Sequence, residues 1–121
     1  MSASGDGWEM YTEQNVVVAE FTEADAFDAA DEIRREFVAL TEQPDVTATI
    51  AHMNFDRSPG DRLLDGAAKA AEQASDNGLE RWAAVADGIE RVAMQGRLSE
   101  TDVEVMATRE LDEAMEWARD A

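Results

Sequence analysis

The stretch WEMYTEQNVVVAEF, residues 8–21, decides how the chain begins to fold. Polar and apolar side chains alternate over residues 8–12, a period of two that is typical of a strand with one wetted face. Residues 16–21 are a short run of mainly strand-forming residues, as expected of an interior strand. Glu13-Gln14-Asn15 can turn between the two. The stretch therefore predicts two antiparallel strands joined by a tight turn.

The first of these strands carries Glu9 and Glu13. Charged side chains on an edge strand discourage another chain from adding to the sheet. We therefore predict that this strand lies on or near an edge of the sheet.

Further along the chain, strands alternate with helices. Apolar residues recur at helical spacing after Thr22, and such crossovers are long enough to keep the later strands parallel. The predicted order is β-β-α-β-α-β-α-β-α, with residues 8–121 forming one domain and residues 1–7 a mobile leader. The remaining predicted elements are strands at 46–53, 82–86 and 103–107 and helices after Thr22, at 59–75, before Gly96 and after a cap at Thr108.

Charge is the strongest compositional signal. Asp and Glu number 28 against 10 Lys and Arg, for a formal net charge of -18. Nucleic acid would be repelled, because binding it requires a basic surface that displaces counterions, and anionic membranes are equally disfavoured. At molar salt the screening length falls to ~3 Å, so the same charge is tolerated. We interpret the acidity as adaptation to the salt-rich cytoplasm of a halophilic archaeon.

Targeting and thiol chemistry are also limited by the sequence. No cysteine is present, so disulfides, thiolate metal sites and thiol nucleophiles are excluded. The first residues, MSASGDG, lack the positive and apolar regions of a signal peptide. No apolar run approaches the ~20 residues that span a bilayer. We therefore predict a cytoplasmic protein without membrane insertion.

Three stretches of the chain resemble a known family. They are WEMYTEQNVVVAEF at 8–21, RWAAVADG at 81–88 and VEVMATRELDEAMEWARDA at 103–121. Together they resemble the small SpoIIAA-like proteins, which are grouped with the STAS and lipid-carrier-like domains, over residues 8–119. The resemblance implies an α/β fold in which a mixed sheet of four or five strands carries helices mainly on one face. It also implies a non-enzymatic regulatory or protein-interaction module.

The segment Asp56-Arg57-Ser58-Pro59-Gly60 occupies a notable place in this resemblance. STAS-type antagonists carry a phosphorylatable serine in an Asp-Ser-Ser-Gly-type turn between a strand and the next helix. Here Arg57 replaces the first serine of that pattern, and Pro59 moves the glycine one position later. The resemblance implies a phosphorylation or interaction site formed by Asp56, Arg57, Ser58 and Arg62.

The same segment has a second interpretation as the start of a helix. Ser58 would be the N-cap, and Pro59 would take the first helical position with its fixed φ. Asp61, three residues after the serine, can complete a capping box. Both interpretations of Ser58 stay open at this point.

His52 is the only histidine, four residues before Asp56. In a strand these two side chains share a face but lie ~13 Å apart, too far to hold one metal. We therefore expect a partly buried histidine near a strand end. No nucleophile elbow, phosphate-binding loop or dinucleotide fingerprint is present. The prediction is no metal, no cofactor and no enzymatic activity.

Three aromatic residues could contact a partner: Trp8, Tyr11 and Trp117. Aromatic residues near a strand edge or on a terminal helix often anchor partners, although packing in the core or at its rim is the alternative. The sequence thus predicts a protein partner, and a homodimer stays open. The alternative function is a small-ligand or lipid-binding protein of the carrier-like branch.

Overall fold

The computed structural model describes residues 2–23, 30–54, 61–86 and 95–121. Within these ranges six strands form one sheet, and neighbouring strands follow the order of the chain. The strands are β1 (Ser2–Gly5), β2 (Trp8–Glu13), β3 (Val16–Phe21), β4 (Ala48–Met53), β5 (Arg81–Val85) and β6 (Glu104–Thr108). The helices are α1 (Ala30–Thr41), α2 (Asp61–Asp76), α3 (residues 95–98) and α4 (Leu111–Arg119).

The first three strands are antiparallel and are joined by two-residue turns. Gly7 has a φ of 78° in the first turn and Gln14 a φ of 56° in the second. In each turn one residue adopts the positive φ with which the chain reverses over two residues. The hairpin predicted for residues 8–21 is therefore confirmed.

Strands β3 to β6 are parallel, so their carboxyl ends meet at one edge of the sheet. Helices α1 and α2 lie in the crossovers between them, as the alternation of strand and helix in the sequence predicted. The prediction of a mixed α/β sheet is thereby confirmed.

Hydrophobic cores lie on both faces of the sheet. The first core joins α1 and α2 to one face; Phe37 of α1 and Trp82 of β5 meet there with ring centroids 5.3 Å apart. Ala71 and Ala74 of α2 are fully buried in this core, and their small side chains let the helix approach closely. The second core packs Ala114, Met115 and Ala118 of α4 against the other face.

Helix α4 is the exception to the expectation that helices lie mainly on one face, because α1 and α2 pack on the other face. Right-handed crossovers between successive parallel strands place the connecting helices on the same face. Helix α4 follows the last strand, so no such rule acts on it. It covers the apolar residues that β3, β4 and β5 present on the opposite face, among them Val18, Ile50 and Ala83.

Strand β1 corrects the predicted strand count. Ser2–Gly5 lies within residues 1–7, where the sequence indicated a mobile leader without a strand. It pairs with β2, where Ala3 lies opposite Met10 and packs against the first core. Consequently β2 is the strand next to the edge, which agrees with the prediction that it lies on or near an edge of the sheet.

The start of α4 corrects a smaller prediction. Glu110 occupies the N-cap position and makes no capping hydrogen bond with its side chain. Thr108, the predicted cap, lies two residues earlier, where its Oγ1 accepts a 3.1 Å hydrogen bond from the Glu110 backbone N–H. Thr108 Oγ1 also donates to Glu113 Oε2, so the threonine organises the turn before the helix.

Candidate functional site

The segment Asp56-Arg57-Ser58-Pro59-Gly60, which the sequence identified as a candidate site, connects β4 with α2. The Asn54 backbone N–H, just after β4, donates a 2.8 Å hydrogen bond to the Phe21 carbonyl, which continues the pairing of β3 and β4. Asp61 is the first described residue of helix α2. Residues 55–60, between these anchors, lie outside the described residues.

The predicted site residues fall largely outside the part that can be described. Asp56, Arg57 and Ser58 lie outside the described residues, as does Pro59. Arg62 is in α2, and its side chain is also outside the description. Their roles remain predictions.

An ion pair links the first half of α2 to α3. Arg97 Nη2 lies 2.6 Å from Asp65 Oδ1, and Arg97 Nη1 lies 3.4 Å from Glu100 Oε2. All three side chains are substantially exposed, so the pair contributes little to stability. It connects α3 with the helix that follows the predicted Ser58 site.

Tyr11 lies on the α4 side of the sheet, beside the strands that α4 covers. Helix α4 packs against β3 to β6. Tyr11 on β2 is half-buried against the second core, while Glu9 and Glu13, two positions away on either side, are exposed. Side chains two apart share a face of a strand. We call Glu9, Tyr11, Glu13, Glu20 and His52 the Tyr11 surface.

The Tyr11 surface is strongly acidic. Burial raises the pKa of Tyr11 above its ordinary value of 10.0, and the carboxylates of Glu13, Glu20 and Glu9 raise it further. Glu9 also lies directly opposite Glu20 across β2 and β3. Like charges in such a pair destabilise a sheet, and salt screens their repulsion.

His52 supplies the one nearby group on β4 that can offset this charge when protonated. Its Nδ1 lies 3.2 Å from Glu20 Oε2, although the angle is not that of a hydrogen bond. With 21% of its side chain exposed, next to last in the strand, it is the partly buried strand-end histidine that the sequence predicted.

Trp117 lies at the rim of the second core, at the carboxyl end of α4. The Arg81 guanidinium carbon is 5.0 Å from the centroid of its ring. Arg81 Nη1 donates a 2.7 Å hydrogen bond to the Trp117 carbonyl, and Nε lies 3.4 Å from Glu104. Sequence reasoning missed Arg81, because only the fold brings the start of β5 to the end of α4.

The end of α4 is held by a second side chain. Asn15 Nδ2 donates to the carbonyls of Ala118 and Arg119, each at 3.3 Å, and to Thr47 Oγ1 at 2.8 Å. Carbonyls in the last turn of a helix have no partner within it, so these bonds satisfy groups that would otherwise need water. Asn15 was identified only as a turn residue in the sequence.

The three predicted anchors are not brought together. Trp8 is buried in the first core at 5% exposure, which matches the core-packing alternative. Tyr11 and Trp117 both pack against the second core, on the opposite side of the sheet, and both stay partly exposed. Of the three, Tyr11 and Trp117 are therefore the residues that a partner could reach.

Two further properties concern the described ranges alone. No three His, Asp or Glu side chains within them come together as a metal site requires. Among the helices of those same ranges, none has the length and apolar character needed to cross a membrane.

Comparison with known proteins supports the fold. No family model matches the sequence, and no curated protein sequence matches it. A solved structure of the anti-sigma factor antagonist SpoIIAA in its unphosphorylated form is similar, with a TM-score of 0.56 and 18% identity. The match covers 94% of this chain and 97% of the other. The chain therefore has a SpoIIAA-like, STAS-type fold.

Proposed function

We propose that this protein is a non-enzymatic regulatory module that binds a protein partner in a salt-rich cytoplasm. The observation that carries the proposal is the SpoIIAA-like fold, which extends over nearly the whole chain. The similar structure is that of an anti-sigma factor antagonist in its unphosphorylated form. The carboxyl edge of the sheet, where β4 leads into α2, is the proposed contact region.

Ser58 is the proposed control point of that contact. In the sequence it stands between Asn54, just after β4, and Asp61, the first described residue of α2. A helix start offers free backbone N–H groups and a favourable dipole to a phosphate. A serine at the N-cap of a helix is exposed to solvent, and a phosphate on it would lie beside the free backbone N–H groups. The two roles of Ser58 are therefore compatible. The proposal is that Ser58 caps α2 and is modified there.

The proposal of a salt-rich environment is based on the composition and on one cross-strand pair of like charges. A net charge of -18 on 121 residues leaves most carboxylates without a cation. Glu9 opposite Glu20 shows that this excess reaches paired positions in the sheet. Such a pair is better tolerated where salt screens charges within ~3 Å.

Ser58 variants test the proposal. Tagged parent, Ser58→Ala and Ser58→Asp proteins would be recovered from a high-salt lysate, and masses read for co-purified proteins and for phosphate. Ser75→Ala, at the opposite end of α2, is the matched control. We expect a partner that binds the parent and the Ser75→Ala control but not Ser58→Asp, together with a phosphorylated fraction of the parent.

Stability separates the two roles of Ser58. Loss of the cap in Ser58→Ala should lower the free energy of unfolding by ~1 kcal/mol, and Ser58→Asp should restore most of it. Equal partner binding by both variants and the parent, with no phosphate on the parent, would reduce Ser58 to a helix cap.

Small-ligand binding is a second candidate and has one supporting observation. Trp82, at 5% exposure, has a buried Nε1 with no hydrogen-bond partner among the described residues. A buried donor of this kind calls for an acceptor, which a ligand beside the first core could supply. Native mass spectrometry of the protein purified at high salt tests this. A retained small molecule supports the candidate, and an unliganded mass in every preparation rejects it.

A further inference from the structure

Strand β6 ends the sheet on the side away from β1. Val105, Met106 and Ala107 are each partly exposed, whereas the central residues of β3, β4 and β5 are buried. Within the described ranges no further strand pairs with the outer side of β6. Edge strands present backbone donors and acceptors to other chains unless charge, proline or a bulge protects them.

The direction of each backbone group in β6 follows from its pairing with β5. The Glu104 N–H donates to the Glu80 carbonyl at 2.9 Å, and the Thr108 carbonyl accepts from the Ala86 N–H at 3.1 Å. In a parallel pair every second residue bonds to the neighbour, so Glu104, Met106 and Thr108 face β5. The N–H and C=O groups of Val105 and Ala107 therefore point outward.

The outward backbone groups of one β6 strand are complementary to those of a second β6 strand related to it by a twofold axis. If a second β6 lies antiparallel with the axis at Met106, Val105 of each copy lies opposite Ala107 of the other. Those two residues carry the outward groups, so each such pair can exchange two N–H to C=O hydrogen bonds. Met106 then faces its own counterpart in a pair without backbone hydrogen bonds, where side chains are closest.

Charge favours the same register. Glu104, the one charged residue of β6, would lie opposite Thr108 and not opposite another acid. Its carboxylate is already within 3.4 Å of Arg81 Nε in the same chain. The other edge is less suited to pairing, because β1 consists of small residues that are poor strand formers, Ser2-Ala3-Ser4-Gly5.

We propose that β6 is a self-association edge, through which two copies of this chain join their sheets antiparallel about Met106. The occupant is a second copy because the register pairs outward donors with outward acceptors and opposes no like charges within the strand. The inference is independent of the proposed partner at Ser58, which lies in the connection from β4 to α2.

The association should be weak and should depend on salt. A five-residue edge makes a small interface, and interfaces below about 1,200 Å² are typical of transient complexes. Two chains of net charge -18 also repel each other unless salt screens them. Measurement therefore calls for molar salt and a protein concentration of about 0.5 mM, which suits complexes of this strength.

Sedimentation equilibrium under these conditions is the first test. The parent should show a dimer that dissociates on dilution into ~0.1 M salt. Met106→Lys, which sets two ammonium groups against each other at the axis, should be monomeric. Ser4→Lys adds the same charge at the opposite edge and should dimerise as the parent does. A monomeric parent, or a Met106→Lys protein that dimerises equally well, overturns the proposal.

Single cysteines test the register, because the parent has none. Residues in the pair at the axis have Cα atoms about 4.5 Å apart, which a disulfide can bridge. Met106→Cys should therefore oxidise to a covalent dimer at molar salt. The Cα atoms of two Val105→Cys residues would be about 9 Å apart, too far for a disulfide. Equal cross-linking of Met106→Cys, Val105→Cys and Ser4→Cys contradicts the register and overturns the proposal.

Discussion

The Arg81 guanidinium lies over the Trp117 ring, 5.0 Å from its centroid, and also donates a 2.7 Å hydrogen bond to the Trp117 carbonyl. One side chain thus contacts both the ring and the backbone of the same residue. Because Arg81 begins β5 and Trp117 is near the end of α4, the contact fixes the helix against the sheet. It also restricts the orientation in which the partly exposed Trp117 ring can meet a partner.

Replacing Arg81 should therefore loosen α4. We expect Arg81→Met to lower the free energy of unfolding by ~2 kcal/mol, because a charge-assisted hydrogen bond to a carbonyl is lost with the cation–π contact. Arg81→Lys keeps the charge but not the planar fork and should cost ~1 kcal/mol. Denaturant unfolding followed by tryptophan fluorescence measures both.

Arg34→Met is the control for this experiment. Arg34 pairs with Asp31 at 3.3 Å on the exposed side of α1, where ion pairs contribute little. It should change stability by less than ~0.5 kcal/mol. Equal effects of Arg81→Met and Arg34→Met would show that the Trp117 contact contributes no more than a surface ion pair.

The Trp8 ring packs directly on Gly5 and leaves no room for a larger residue there. A Cβ at Gly5 would overlap Trp8 Nε1 and lie only 2.6 Å from Trp8 Cε2. We expect Gly5→Ala to cost ~1–3 kcal/mol by overpacking. Gly66→Ala is the matched control, since a Cβ there would meet no atom within 4 Å beyond its own chain neighbours and helix backbone, and alanine favours helix. It should stabilise α2 by ~0.5–1 kcal/mol. A neutral Gly5→Ala in thermal unfolding would contradict the packing of β1 under Trp8.

Most of the fold was predictable because its signals are local. The hairpin at residues 8–21 and the later strands stand out by period and by turn residues. Strand β1 was missed because Ser2–Gly5 contains no strong strand former, although Asp6-Gly7 before an alternating run is a hairpin signal. The position of α4 could also have been predicted from the sequence, since strands that are apolar on both faces require a packing partner on each face.

The candidate site was less predictable because its neighbours are distant in sequence. Glu20 meets Glu9 only through the β2–β3 register, and Arg81 meets Trp117 only after α4 folds back over β5. No pattern of spacing in the chain indicates such pairs. Ser58, by contrast, was identified from a local pattern of residues.

Salt should control stability. Dilution from molar to ~0.1 M salt extends the screening length from ~3 Å to ~10 Å and restores repulsion among the carboxylates. We expect the melting temperature of the parent to fall. Glu9→Gln should raise stability at ~0.1 M salt by ~0.2–1 kcal/mol, because it removes the like charge opposite Glu20.

The exposed Glu116→Gln on α4 is the control for overall charge and should have a smaller effect. A parent melting temperature that is the same in both salts contradicts the interpretation of the charge as high-salt adaptation.

Tyr11 offers a direct readout of the acidic surface, because it is the single tyrosine of the chain. Its folded pKa is raised above 10.0, first by burial and then by Glu13, Glu20 and Glu9. The folded state therefore holds the phenol proton more tightly than the unfolded state. This contribution to stability is retained below pH 10.0 and is lost as pH rises through the raised pKa. Tyr11→Phe should remove this part of the decrease in the free energy of unfolding at alkaline pH.

Ultraviolet absorbance of the phenolate measures this pKa while circular dichroism confirms that the protein stays folded. Molar salt should lower the pKa towards 10.0 without reaching it, because salt screens the carboxylates and leaves the effect of burial. Glu13→Gln should lower it more than Glu9→Gln, since Glu13 is the largest of the charge effects and Glu9 the smallest. A parent that titrates at 10.0 in both dilute and molar salt would show that Tyr11 is neither buried nor surrounded by these carboxylates.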